Sequence, residues 1–300
     1  LAEVKVLAQW PLQPSPNNLL NSITLKSHAK VNIGLRVLAQ REDGYHNIHT
    51  IFQELAFHDT VTISKTDDGC ELSSNDENFP TNSSNTCSKA YVAVKVHCPD
   101  VAGIKIHVKK EIPQGSGLGG GSSNGATTLK GMNELYGLGL SNDELTELSL
   151  QVGADVPFFI HGGTQLGEGI GEQLTQLDIE LPQSILVIIP DMHISTKWAF
   201  SRLRKKLETE GKAPNFSGLI ERSKIPFQFF ENDFEKIVFS TYPEIGLIKD
   251  QLLANKARFA SLSGSGSAVF GLFDDDADAR SAELLFSASN KTMLTRTLIR

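Results

Sequence analysis

Between Ile112 and Thr128 the chain reads IPQGSGLGGGSSNGATT: an apolar strand closes at Pro113, a glycine run follows, and two serines lead into a segment with helical spacing. Glycines 115, 117, 119, 120 and 121 carry no β carbon, so the backbone can turn through positive φ and bring successive N–H groups close to one anion. Ser122 and Ser123 stand where a helix takes its N-cap, and Ala126, Leu129, Met132, Asn133 and Tyr136 continue at helical spacing. Unpaired amides and the positive end of a helix dipole then converge on one spot, which is a place for phosphate. The serine hydroxyls can add contacts to phosphate oxygens or to Mg2+.

Other glycine loops fit less well. Gly115, Gly117 and Gly120 satisfy G-x-G-x-x-G, but a dinucleotide site also wants an acidic residue on a second strand about 20 residues on. Here that region is still helical and then turns through Gly137, Leu138 and Gly139. A Walker A loop needs lysine directly after its last glycine, and Gly121 is followed by Ser122. A flexible linker does not run straight from a strand into a serine-capped helix.

Charge and cysteines narrow the class. With 35 acidic against 28 basic residues the net charge is −7 and no long basic run occurs, so no nucleic acid partner is expected. Arg204-Lys205-Lys206 reads as a solvated helix face. Cys70, Cys87 and Cys98 are odd in number and lack zinc spacing, so neither a disulfide framework nor a protein-held metal is expected. No segment approaches the ~20 apolar residues of a membrane span, and the first residues lack a basic signal region, so the expectation is a soluble cytoplasmic protein with no membrane partner.

Three hundred residues suit one large or two modest domains. An extended, proline-rich leader is expected over Trp10–Asn18, then strands over 23–38, 57–64 and 103–108, a polar loop over 67–84 and a helix over 88–96. Ser141-Asn142-Asp143-Glu144 opens a second helix that ends at Gly153. Strands are expected over 157–160, 163–167 and 185–189, helices over 197–209 and 243–256, and a strand pair over 258–273. Asp274-Asp275-Asp276 reads as a surface turn, and a domain boundary is placed near Asp178. Strands and helices mix without βαβ alternation, which predicts an α+β chain with mostly antiparallel sheet.

The glycine-serine loop resembles that of the GHMP kinases, the superfamily of galactokinase, homoserine kinase, mevalonate kinase and phosphomevalonate kinase. The likeness runs from about Lys26 to Phe273. Gly153-Ala154-Asp155-Val156-Pro157-Phe158-Phe159 resembles the segment that bears the catalytic aspartate in these kinases, although an Asp before Val-Pro is by itself an ordinary turn or cap residue. The resemblance implies a two-domain GHMP kinase fold: an N-terminal ribosomal-protein-S5-like ATP-binding domain over 22–178, a C-terminal ferredoxin-like α/β-sandwich domain over 179–300, and a substrate cleft between them.

Catalysis then falls to Lys30 and Asp155: the carboxylate accepts the acceptor hydroxyl's proton while the ammonium stabilises the charge on the attacking oxygen. The resemblance further implies that ATP, with Mg2+ carried by the nucleotide, is held by Pro113, Gly115, Gly117, Leu118, Gly119, Gly120, Gly121, Ser122, Ser123 and Asn124. Asn85 and Lys110 match positions near the adenine. Ser261–Ser267, reading SLSGSGS, resembles a second glycine loop beside the phosphates. Gly125 stands where the family has alanine, at a cost of about 1 kcal/mol in helix propensity.

Arg41-Glu42-Asp43-Gly44-Tyr45-His46 resembles the DGYH segment of one branch of that superfamily, which phosphorylates the 2-hydroxyl of 4-diphosphocytidyl-2-C-methyl-D-erythritol in non-mevalonate isoprenoid precursor synthesis. Tyr45 would stack on the cytosine, His46 would read its edge, and Phe200 would form the opposite wall. Trp198 could exchange roles with Phe200. Asn32 and Thr196 would meet the rest of this small-molecule substrate. A homoserine- or mevalonate-type acceptor offers no base for Tyr45, and a silent nucleotide-binding protein would lose Lys30 or Asp155. A monomer or weak homodimer is expected.

Overall fold

In a computed structural model of the chain, the residues described are 20–182, 184–207 and 227–300, without the side chains of 204–207. The proline-rich leader and the end of the helix expected over 197–209 lie outside them, as do the side chains of the basic run at 204–206.

Two long strands organise the N-terminal half. Strand β1 (Ser22–Gln40) pairs antiparallel with β2 (His46–Thr66). The alternation that suggests two strands over 23–38 belongs to one strand, whose register shifts between His28 and Lys30 and between Asn32 and Leu35. These irregularities lie around Lys30 and Asn32, where a bulge re-aims side chains. Strands β3 (Cys70–Ser74), β4 (Gly103–Lys109), β5 (Thr164–Glu168) and β6 (Gln173–Gln176) complete a sheet ordered β3-β4-β2-β5-β6, with β1 on β2.

Helices α1 (Thr86–His97), α2 (Gly120–Tyr136), α3 (Asn142–Leu150) and α4 (Val156–His161) pack on this half around a core that includes Ile63, Ile104, Leu129, Met132 and Phe158. The capping box expected at Ser141 is present, with Glu144 as its partner.

Two expectations fail here. Residues 157–160 form helix α4, not a strand. A short apolar run does not reveal its period, and Pro157 sits in the helix's first turn where its missing N–H costs nothing. The polar stretch 67–84 contains β3, which runs parallel to β4 at the sheet edge. Half-exposed Ser and Glu side chains hide its strand character.

The second sheet, β10-β7-β9-β8, is antiparallel throughout. It comprises β7 (Ser184–Ile189), β8 (Phe259–Leu262), β9 (Val269–Phe273) and β10 (Lys291–Arg296). Helices α5 (Thr196–Leu207), α6 (Glu235–Thr241), α7 (Pro243–Ala254) and α8 (Asp276–Phe286) accompany it. Asp274–Asp276 is more than a turn: Asp275 N-caps α8 by accepting from the Ala277 N–H, and Asp276 pairs with Arg296.

The chain changes sheet between β6 and β7, around the boundary read at Asp178, and the two halves stay joined. Val31, Ile33, Ile51 and Leu55 of the first sheet share a core with Ile185, Val187, Phe259 and Phe270 of the second. After β10 the chain returns to β2, where the Leu298 N–H donates to the Glu54 carbonyl and Arg300 pairs with the Glu54 carboxylate.

Candidate active site

The cradle begins under the loop. Asp59 on β2 accepts from the N–H groups of Glu111 and Ile112 and pairs with Lys110, fixing where β4 ends and the glycine run starts. Gly115, Gly117 and Gly119 all take positive φ, +66°, +81° and +72°. Gly119 is the N-cap of α2 and no side chain caps the helix, which starts at Gly120. The serines therefore stand one turn further in than expected. A left-handed glycine sets the helix start, so the first N–H groups keep no side-chain partner and remain for a ligand.

Ser122 faces the cavity, but Ser123 and Asn124 are buried beneath it: Ser27 donates to Ser123, and the Asn124 amide donates to Ser27 and Asp59. Leu118 is fully buried, and its carbonyl accepts from the Lys30 N–H. Asn85 spends its side chain on capping α1, accepting from Cys87 N–H and donating to the Pro80 carbonyl. Lys110, held between Asp59 and Asn124, supports the loop from below.

The second glycine loop packs directly on the first. Ser263 donates to the Gly117 carbonyl, Ala268 N–H donates to the Ser116 carbonyl, and a β carbon on Gly117 would lie 2.1 Å from the Ser263 oxygen. Glycine at 117 is thus required twice, by φ and by space.

Lys30 and Asp155 meet across the cavity floor. Lys30 Nζ lies 3.8 Å from Asp155 Oδ2 and donates to Asn32 Oδ1 at 2.6 Å; the Asn32 amide donates to Thr50, which donates to the Gly34 carbonyl. This chain fixes the ammonium. Asp155 stands in the turn closed by Val156 N–H on the Gly153 carbonyl, at the N-cap position of α4, yet its side chain makes no capping bond. Burial pushes the Lys30 pKa below its ordinary value, and Asp155 opposes the shift.

The other end of the cavity is aromatic. Tyr45 stands on the hairpin after β1 and is 60% exposed. His46 and Phe200 lie nearly parallel, 17° between planes and 5.5 Å between centroids, too close for a third ring between them. Phe200 meets Phe234 edge-on. Trp198 packs against Tyr242 beside the second core, and Phe200 rather than Trp198 lines the cavity. Thr196 shares a hydrogen bond with Ser265 of the second loop.

A single cavity of about 880 Å³ joins these parts and is lined by Lys30, Asn32, Tyr45, His46, Pro113, Asp155, Thr196, Phe200, Ser122 and the loop glycines 115, 117, 119, 120 and 121. Leu118, Ser123, Asn124, Asn85 and Lys110 are not brought to its surface. Sequence reasoning missed Phe52 and Ile170, which also line it. It also missed His193, whose ring lies where a Gly115 side chain would go, 2.5 Å from such a β carbon. Nothing local marks these residues, because long-range packing delivers them. Among the described residues no group of three or more His, Cys, Asp or Glu is placed to hold a metal, and no helix is long and apolar enough to cross a membrane.

Two family models match this chain: GHMP kinases N terminal domain over residues 85–163 and GHMP kinases C terminal over 218–287. The fold and the glycine cradle are those of a GHMP kinase, an enzyme class that uses ATP. A 4-diphosphocytidyl-2-C-methyl-D-erythritol kinase of Prosthecochloris aestuarii is 39% identical over 92% of this chain and 98% of its own length. One of Chlorobium luteolum is 37% identical over 91% and 96%. The crystal structure of a 4-(cytidine 5'-diphospho)-2C-methyl-D-erythritol kinase superposes with TM-score 0.77 at 30% identity, covering 92% of this chain and 99% of that one. A homoserine kinase from Cytophaga hutchinsonii, TM-score 0.74 at 19% identity over 94% and 96%, shares the fold. Within the superfamily, the chain belongs to the 4-diphosphocytidyl-2-C-methyl-D-erythritol kinases.

Proposed function

We propose that this chain transfers the γ-phosphoryl group of ATP to the 2-hydroxyl of 4-diphosphocytidyl-2-C-methyl-D-erythritol, in the non-mevalonate route to isoprenoid precursors. The observation that carries this reading is one cavity holding a glycine cradle, the Lys30–Asp155 pair and an aromatic end at Tyr45 and Phe200.

The loop amides and the N-terminus of α2 take the ATP phosphates. Ser122 and Asp155, at the cavity surface, would offer hard oxygen ligands to Mg2+ carried by the nucleotide, which would neutralise phosphate charge. Asp155 orients the acceptor hydroxyl and takes its proton, and Lys30 stabilises the oxygen as it attacks. A loose phosphoryl-transfer transition state asks mainly for positioning, which the Asn32–Thr50 hydrogen-bond chain supplies to the ammonium. Tyr45 offers its exposed ring to the cytosine, with His46 and Phe200 beside it. Three free cysteines, two of them buried, suit a reducing cytoplasm.

The test gives purified protein ATP and Mg2+ with the cytidyl acceptor, homoserine or mevalonate in parallel, and follows ADP release. ADP release with the cytidyl acceptor alone is expected; turnover of homoserine or mevalonate in its place overturns the reading.

A further inference from the structure

The proposed acceptor has an unusual reacting centre. Its 2-hydroxyl sits on a tertiary carbon that also bears a methyl group, so the methyl is two bonds from the oxygen that Asp155 addresses. Whatever surface lies next to that carboxylate must receive an apolar group.

Beside Asp155 the turn between β5 and β6 meets two apolar side chains of β2, Ile48 and Phe52. Gly171 there takes φ +114°, and a β carbon on it would lie 3.5 Å from Asp155 Oδ1, 3.5 Å from Ile48 Cδ1 and 3.6 Å from Phe52 Cζ. The absent side chain thus leaves a space that meets the carboxylate oxygen and the carbon ends of Ile48 and Phe52 at nearly equal distance. Ile48, Phe52 and Ile170 all line the cavity.

The turn is held firmly. Ile170 N–H donates to Glu172 Oε2 at 2.6 Å, Gly171 N–H donates to the Glu168 carbonyl at 2.9 Å, and Ile48 N–H donates to the Gly169 carbonyl at 2.7 Å. Lys30 and Asn32 make the polar side of the same floor. A hydroxyl placed between Lys30 and Asp155 therefore has a charged face on one hand and an aliphatic face on the other.

We infer that Ile170, with Ile48 and Phe52 beside the gap left by Gly171, forms a methyl-recognising subsite that selects a tertiary, methyl-bearing alcohol over its desmethyl counterpart. The inference rests on the acceptor assigned under Proposed function. A bound methyl would cover carbon that is otherwise wetted next to the reacting group, and would restrict rotation of the hydroxyl about its carbon. One methylene's worth of apolar contact discriminates roughly 10- to 200-fold between substrates.

The experiment measures kcat/KM for 4-diphosphocytidyl-2-C-methyl-D-erythritol and for 4-diphosphocytidyl-D-erythritol, which lacks only the methyl, in wild type, Ile170→Ala and Ile170→Val. Wild type should favour the methylated acceptor by about 10- to 200-fold. Ile170→Ala should shrink that ratio at least about 5-fold, and Ile170→Val, which keeps most of the wall, should stay within about 2-fold of wild type. A general loss of stability or of ATP binding lowers both rates and leaves their ratio alone. Should Ile170→Ala not fold, Ile48→Ala carries the same measurement. An unchanged ratio in the alanine variant overturns the subsite and leaves the acceptor assignment standing. No turnover of the methylated acceptor by wild type overturns that assignment, and the subsite with it.

Discussion

A buried ammonium facing a half-exposed carboxylate at 3.8 Å makes sharp demands on single residues. Asp155→Asn keeps the shape and removes the proton acceptor, so kcat should fall roughly 10²- to 10⁴-fold with ATP affinity nearly intact, measured by steady-state kinetics beside a nucleotide titration. Lys30→Ala should fall similarly, and the double variant should be no worse than the poorer single one, because the pair acts as a unit. Lys30 also sets a pH limit. Burial holds its pKa below the usual 10.5, and the charged form is the working one, so activity is lost as pH rises through that lowered value. The kcat/KM profile of wild type should descend at lower pH than an exposed lysine would dictate, and Lys30→Arg, charged throughout, should lack the descent. At the aromatic end, Tyr45→Ala should raise the acceptor KM about 5- to 150-fold by removing a stacking face worth about 1–3 kcal/mol, with ATP binding unchanged and Tyr45→Phe near wild type.

At the scale of the element, helix α2 contains two glycines whose substitution should act in opposite ways. Gly121 has open space around its missing side chain and lines the cavity, so Gly121→Val should leave the melting temperature near wild type while weakening ATP binding at least about 10-fold by filling the phosphate cradle. Gly125 reads in sequence as a departure that costs helix propensity. Yet a β carbon there would lie 3.0 Å from Thr86 Cβ and 3.1 Å from Val152 Cγ1. Gly125→Ala should therefore destabilise by about 1–3 kcal/mol through overpacking where propensity alone predicts a gain, a sign that thermal or urea unfolding reads directly. Two glycines four residues apart on one helix thus serve a ligand and a neighbouring helix respectively.

Across the whole molecule, the cavity exists because two sheets share a core and two glycine loops lock together through Gly117 and Ser263. The returning residues 297–300 add a clasp on the N-terminal sheet, where Arg300 meets the nearly inaccessible Glu54 carboxylate. Among the described residues, Arg300→Ala leaves that carboxylate with only the Gly163 N–H as a donor. Since Arg300 is itself partly exposed, the loss should be modest, about 1–3 kcal/mol by urea denaturation. Pairing it with Glu54→Gln in a double-mutant cycle should recover part of the loss, because the neutral amide no longer needs a cation.

Sequence alone determined what depends on local chemistry. The glycine run and helix within 112–128 and the capping box at Ser141 rest on short-range backbone rules, although the strand read as closing at Pro113 already ends at Lys109, where Asp59 takes the N–H groups of Glu111 and Ile112. The pairing of Lys30 with Asp155, distant in the chain, was legible only through the family resemblance. It misread α4, because five buried apolar residues carry no period. It also set the start of α2 at the serines, because a left-handed glycine cap leaves no polar signal. Only the tertiary structure decided which loop residues face the cavity and which, like Ser123, Asn124 and Lys110, hold it up from beneath. Only it could show Gly171, Ile170 and His193 arriving at the site, and Gly125 as a packing requirement. The reason is physical: a local motif fixes the directions its own backbone can take, whereas burial and closeness across the cleft depend on which distant strands and loops the shared core brings together.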